Sequence, residues 1–177
     1  MKFNFASLYK QRGVTLLEAL AGLAILFTIM GGVLALNSMA QSSTNSITLL
    51  KDITALRTAT QGLYNQQGGY GTASINQSLI TASKVPTDLT ISGTTINTSN
   101  GGTITITGNT TNFTIALTDQ TADICTQLLS ASISGWKSVQ INTGTAITVF
   151  PISPATATDA SNCGGTAPFT LTWTTSS

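Results

Sequence analysis

From Val14 to Leu36 the chain is almost wholly apolar, and within Ala19–Leu36, 18 residues, the only polar side chain is Thr28. At a rise of about 1.5 Å per residue, some 20 residues cross the roughly 30 Å hydrocarbon core of a bilayer. A run of this length needs an apolar surrounding on every side. The 13 residues before it carry Lys2, Lys10 and Arg12 and no acid, which predicts a cytoplasmic N-terminus and an exported remainder. Three ordinary readings compete: a secretory signal peptide cut near Ser38-Met39-Ala40, an uncleaved signal anchor, and a buried core helix. The run is long for a signal-peptide apolar region of about 7–15 residues. Glu18, the chain's one glutamate, stands at the start of the run and argues against all three. A carboxylate in a membrane helix is costly and marks a functional position that needs a partner.

Composition narrows the function classes. Only 13 of 177 residues are charged, 7 Lys/Arg against 6 Asp/Glu, so no basic face exists to displace counterions from phosphates and no sequence-specific nucleic-acid partner is expected. There is no histidine, which removes the commonest general base and metal ligand together. Ser and Thr make up 51 residues, the texture of an extracellular surface.

The stretch Arg12-Gly13-Val14-Thr15-Leu16-Leu17-Glu18-Ala19-Leu20-Ala21-Gly22-Leu23 resembles the class III signal sequence of type IV pilins. The resemblance implies that a prepilin peptidase cuts between Gly13 and Val14, that Val14 becomes N-methylated, and that Glu18 acts in assembly. Valine as the first mature residue and a 13-residue leader resemble the type IVb subclass, and more loosely its thin-pilus major subunits. The proline that kinks many helices of the other subclass is absent, and Gly31-Gly32 is a comparable weak point. Cleavage would leave 4 Lys/Arg against 6 Asp/Glu, a net side-chain charge of −2, and create an α-amine on Val14 able to meet a carboxylate.

Beyond Ala40 the polarity changes while helical spacing continues. Leu49, Ile53, Leu56 and Leu63 form one stripe, Thr60 completes it, and Gln41, Ser42, Lys51 and Arg57 carry the other face. The helix is expected to stop at Gly68-Gly69. One spine from Val14 to about Gln67 would be roughly 80 Å long; two helices broken near Asn37–Ser43 are the alternative.

From Gly68 on the texture is β-like. Leu89–Ile91, Thr94–Ile96, Thr103–Thr107, Phe113–Thr118, Ser138–Asn142, Ile147–Phe150 and Phe169–Thr174 read as strands. Thr alternating with Ile gives one apolar and one hydroxyl face. The Thr-rich 90–111 stretch reads equally as a loop. A second helix is predicted from Asp119 to about Ala131, capped by Thr118, with Ile124, Leu128 and Ala131 inward. Asp119 and Asp123 read as helix N-terminal charges rather than a paired-carboxylate site. Cys125 and Cys163 are either buried free thiols or one disulfide. An exported domain favours the bridge, and it resembles the pilin disulfide near the C-terminus.

These readings predict an α+β protein: a long N-terminal spine helix packed against an antiparallel β-sheet head, with a second short helix and one disulfide. The expected parts are a leader over 1–13, a membrane or filament-core half of the helix over 14–40, and a globular head over 41–177. No catalytic, cofactor or metal site is expected. The resemblance implies a structural subunit of a type IVb pilus, a homopolymer with other pilin subunits, used in adhesion, aggregation or conjugation-type contact. It also implies a precursor in the inner membrane, an inner-membrane platform protein, an assembly ATPase and an outer-membrane secretin as partners. A minor pilin, a type II secretion pseudopilin, and a signal-anchored monomeric surface-binding protein are the alternatives.

Overall fold

The computed structural model describes residues 16–131 and 135–176, with side chains over 16–42 described only at Leu20, Leu23 and Ala24. The chain divides into two compact units, 1–40 and 41–177. Helix α1 is Leu16–Tyr64, with no second helix starting near Asn37–Ser43. In the second unit its Leu49, Ile53 and Leu56 are buried, as the stripe predicts. Thr60 is buried with them and its Oγ1 donates to the Leu56 carbonyl at 2.7 Å, so the helix satisfies the hydroxyl that the core cannot. Leu63 is only half-buried.

The helix ends at Tyr64, three residues before the expected Gln67. The turn that follows the helix runs on to Gly68, at φ +70, and Gly69. They carry the chain past Thr110, whose carbonyl accepts the Tyr70 N–H at 2.9 Å. A Cβ on Gly69 would meet that same oxygen at 2.6 Å, so close approach of two backbones is what requires glycine there.

Helix α2, Asn76–Thr81, follows. It escapes periodicity because six residues bury one apolar side chain, Leu79, beside Asn76. Strands β1 (Thr90–Ser92), β2 (Thr95–Asn97), β3 (Thr103–Asn109) and β4 (Asn112–Gln120) form an antiparallel meander. The Thr-rich stretch is therefore sheet. Helix α3 (Ala122–Ser130), β5 (Trp136–Ile141), α4 (Pro154–Ala157) and β6 (Phe169–Thr175) complete the chain. The strand order is β1-β2-β3-β4-β6-β5. Ile104, Ile106, Ile115, Leu117, Leu171, Trp173, Val139 and Ile141 face one side and share a core with α1 and α3. The other face is small and polar: Thr105, Ala116, Thr172 and Gln140 lie side by side across four strands.

Two elements differ from expectation. Helix α3 begins three residues after Asp119, because 118–120 still belong to β4: Gln120 pairs with Phe169 across an irregularity that places Asp119 at φ +57. The cap is Thr121, not Thr118, with the Ile124 N–H donating to Thr121 Oγ1 at 3.5 Å. Ile124 and Leu128 are buried as expected, Ala131 is exposed, and Cys125 and Leu129 fill the core instead. Ile147–Phe150 is not a strand. Ile147 exchanges two backbone hydrogen bonds with Val139, of 2.7 and 2.9 Å, after which the chain leaves the sheet at Pro151, which has no N–H to extend a ladder.

Candidate assembly and processing site

Gly13 and Val14 lie outside the described residues, and Glu18 stands on α1 with its side chain outside them. No contact between Glu18 and Val14 is therefore on view. Among the described residues no helix is long and apolar enough to cross a membrane; most side chains of Ala19–Leu36 fall outside that set.

Cys125 and Cys163 are joined in a disulfide with Cα atoms 5.7 Å apart, 38 residues apart in sequence. The bridge fastens the first turn of α3 to the segment after α4, where the Cys163 N–H donates to the Ala157 carbonyl at 3.0 Å. Both cysteines are buried, in the same core as Ala157, Ile152 and Phe169. The enclosed segment contains β5 and the sheet's edge, so the bridge pins an edge whose own hydrogen bonding is sparse.

The head's few charges cluster. Lys51 Nζ lies 3.7 Å from Asp88 Oδ2 in an exposed pair, which contributes little in water. Beside it Asp52 is 2 % exposed, and its Oδ1 is buried without a hydrogen-bond partner. Burial, then the charge of Asp88, push the Asp52 carboxyl above its ordinary range against the pull of Lys51. On the other flank of α1 the Arg57 guanidinium stacks 4.9 Å from the centre of the Trp136 ring, and Trp136 packs at 6.3 Å from Trp173. The sequence spacing put Arg57 on a solvated face; the stacking ties α1 to β5 instead, through a residue that sequence pattern alone marks only by its charge. At the far end of the disulfide loop Asp159 Oδ1 accepts from the Ser161 N–H at 2.8 Å and the Ser161 hydroxyl at 2.7 Å, and these bonds hold the carboxyl below its ordinary range. Asp123 lies in the first turn of α3, where a negative charge suits the helix dipole. Asp119, outside the helix, accepts from the Thr118 hydroxyl at 2.9 Å. Among the described residues no three His, Cys, Asp or Glu side chains come together as a metal site.

The family model described as PilS N terminal matches residues 42–176, the whole head with its disulfide. This chain belongs to the PilS N-terminal family. The family is pilin-like, and the fold agrees: among solved structures, TcpA, a type IV pilin from the Vibrio cholerae El Tor biotype, matches with a TM-score of 0.56 and 17% identity, covering 75% of this chain and 99% of that one. At that identity the likeness is one of fold. No curated protein matches the chain. A PilS N-terminal chain with a type IV pilin fold is a pilus subunit: a long helix, a sheet laid over its second half, and a disulfide closing the C-terminal edge.

Proposed function

We propose that this chain is the structural subunit of a type IVb pilus and polymerises through its N-terminal helix into an extracellular filament. The observation that carries the reading is one of order along the chain. A pilin-family head over 42–176 directly follows an apolar run that opens with Gly13-Val14 and Glu18. In this reading a prepilin peptidase cuts after Gly13 and Val14 is N-methylated. The subunit waits in the inner membrane until an assembly ATPase and platform protein add it to a filament that leaves through a secretin. The filament serves adhesion, aggregation or conjugation-type contact. In the filament core an ionised Glu18 costs free energy unless it is paired. The amine of Val14 is four residues away, about 6 Å along one helix axis. The amine of a neighbouring subunit displaced along that axis comes closer, so Glu18 sets the register in which a subunit docks.

N-terminal sequencing of the mature subunit tests the processing. Methylated Val14 at the start is expected; Met1 or Gln41 there refutes it. The Glu18→Val subunit is expected to be inserted and cleaved but to join filaments poorly.

A further inference from the structure

Two cavities adjoin at the end of α1. One, of about 440 Å³, is bordered by Gln61, Gly62, Asn65 and Tyr70. The other, of about 250 Å³, is bordered by Tyr64, Asn65, Gly69 and Tyr70. Asn65 and Tyr70 line both, so together they make a cleft between the last turns of the helix and the turn that follows it. Its aromatic wall is held in place. The Tyr70 N–H donates to the Thr110 carbonyl at 2.9 Å, and the Thr110 N–H donates to the Gly71 carbonyl at 2.8 Å. The Tyr70 ring lies 4.8 Å from the ring of buried Phe113, and the Tyr64 ring stands 5.7 Å away from it, tilted by 41°.

Among the described residues, no hydrogen bond engages the Tyr70 hydroxyl or the side-chain amides of Gln61 and Asn65. No charged side chain borders either cavity. Gly62 sits inside the helix, where glycine is less favourable than alanine. A Cβ there would meet no atom within 4 Å, so packing within the head does not require it. What the missing side chain does is keep the helix wall of the cleft open.

We infer that this cleft binds a neutral hexopyranoside. A side-chain amide presents a donor and an acceptor side by side, which matches two neighbouring sugar hydroxyls, each able to accept or donate. A tyrosine offers an apolar ring with a polar tip, which matches the C–H face of a pyranose and the hydroxyl at its rim. The lack of any cation in the lining disfavours phosphate, sulfate and acidic sugars, whose charge would be desolvated without a partner. An extended peptide would need an unpaired strand edge, and the backbone here, at Tyr70 and Gly71, is already paired with Thr110. The site belongs to the head of a single chain and goes beyond the pilus-subunit reading. In a filament the same site would recur at every subunit and bind multivalently.

The test is magnetisation transfer from protein to sugar, read on the sugar protons, with the full chain dispersed in a zwitterionic detergent. The probes are methyl β-galactoside, methyl α-mannoside and methyl N-acetyl-β-glucosaminide. At least one should receive transfer, most strongly at its ring C–H protons, and methyl β-glucuronide should receive at least tenfold less. Gly62→Leu should lower the transfer at least tenfold while its thermal midpoint stays at or above that of the unaltered chain, because leucine is the better helix former. Gln61→Ala combined with Asn65→Ala should lower it as far. Those two amides hold nothing in the head, so the double variant reads the site even were Gly62→Leu to misfold. Transfer to none of the three probes, equal transfer to the glucuronide, or undiminished transfer in the double variant would each overturn the inference. So would a chain that binds no probe and loses its filaments on Gly62→Leu, since the cleft would then receive a neighbouring subunit. None of these results bears on the subunit reading, which fails only if the unaltered chain forms no filaments.

Discussion

The six-stranded sheet is finished differently at its two ends. At the β1 end the chain closes a three-residue hairpin of Thr90–Ser92 on Thr95–Asn97, all but Ile96 and Asn97 exposed. No covalent link reaches it. The remaining length of β3 is covered by the segment before α2: the Ile75 N–H donates to the Ile106 carbonyl at 2.8 Å, and the Asn76 side chain acts as a rung of the ladder. At the β5 end a long irregular segment from 142 to 168 wraps the edge, and the Cys125–Cys163 bridge holds it. Both ends solve the same problem, the unpaired donors and acceptors of an edge strand. One does it with hydrogen bonds to a side chain, the other with a covalent tie around a loop too poor in regular hydrogen bonds to hold itself.

The largest expected effect falls on the tied end. Removing the bridge frees a loop whose closure is worth about 4 kcal/mol in the chain-entropy estimate. Cys125→Ala or Cys163→Ala should lower the denaturation midpoint of the head accordingly. Amide exchange should quicken between 142 and 165 while β1–β3 keep their protection. Equal loss of protection at both ends would show that the two edges unfold as one unit and erase the distinction.

The untied end has its own weak point. Asn76 is buried, its Nδ2 donating to the Ile104 carbonyl at 2.9 Å and its Oδ1 accepting from the Ile106 N–H at 2.8 Å. Asn76→Ala removes both bonds and leaves the buried Ile106 N–H without the amide oxygen it donates to, at a cost of about 2 kcal/mol. Thermal unfolding should register that loss with the disulfide intact. Gln at the same position, one methylene longer, should recover little, because the rung is set by reach.

How much of each end was legible in the sequence follows from how each is held. The strands β3, β4 and β6 stand out because polar residues, mostly Thr, alternate with apolar ones, and the core uses that alternation directly. The stripe on α1 is legible for the same reason. Asn76 carries no such signal: its role comes from the register of β3, 28 residues away. The alternation in Ile147–Phe150 is real but meets the sheet only at Ile147, so Val149 is left in solvent. Thr118-Asp119-Gln120 reads as a helix start because Thr and Asp are good caps, yet Gln120 is claimed by β6 across the sheet, and the cap passes to Thr121. The motif around Gly13 and Glu18 is visible in the sequence as a resemblance alone, since Gly13 and the Glu18 side chain lie outside the described residues.

Arg57 joins α1 to the tied end. Its guanidinium covers Trp136 at 4.9 Å, and a side chain on Gly135 would meet it at 2.6 Å. Arg57→Ala should cost about 1–2 kcal/mol through the lost cation–π contact and the stem packing. Lysine should restore part of that, since it keeps the charge and loses the planar stacking. The change in Trp fluorescence should follow the same order, alanine more than lysine.

The smallest effect belongs to the β1 side of α1 and depends on pH. Asp52 is buried beside Asp88 with one oxygen unpartnered, and its carboxyl is raised above the 3.8 of an ordinary aspartate, chiefly by burial. Between 3.8 and the raised folded value the native state holds a proton that the unfolded chain has released. Stability contributed by this group therefore falls as pH rises through that window, and above it the full penalty of an ionised, poorly solvated carboxylate remains. Asp52→Asn removes the ionisation while leaving an amide in the same place. It should stabilise the head by about 1 kcal/mol near neutral pH, the scale of one unsatisfied buried polar group. The advantage should shrink toward zero as pH falls below 3.8, where the wild-type carboxyl is protonated in both states. Asp88→Asn should act in the same direction more weakly, because it relieves the repulsion on Asp52 but also removes the exposed pair with Lys51. A stability difference between Asp52→Asn and wild type that stays constant from acid to neutral pH would mean that Asp52 titrates as an ordinary surface aspartate, and that the loop bearing Asp88 does not close over it.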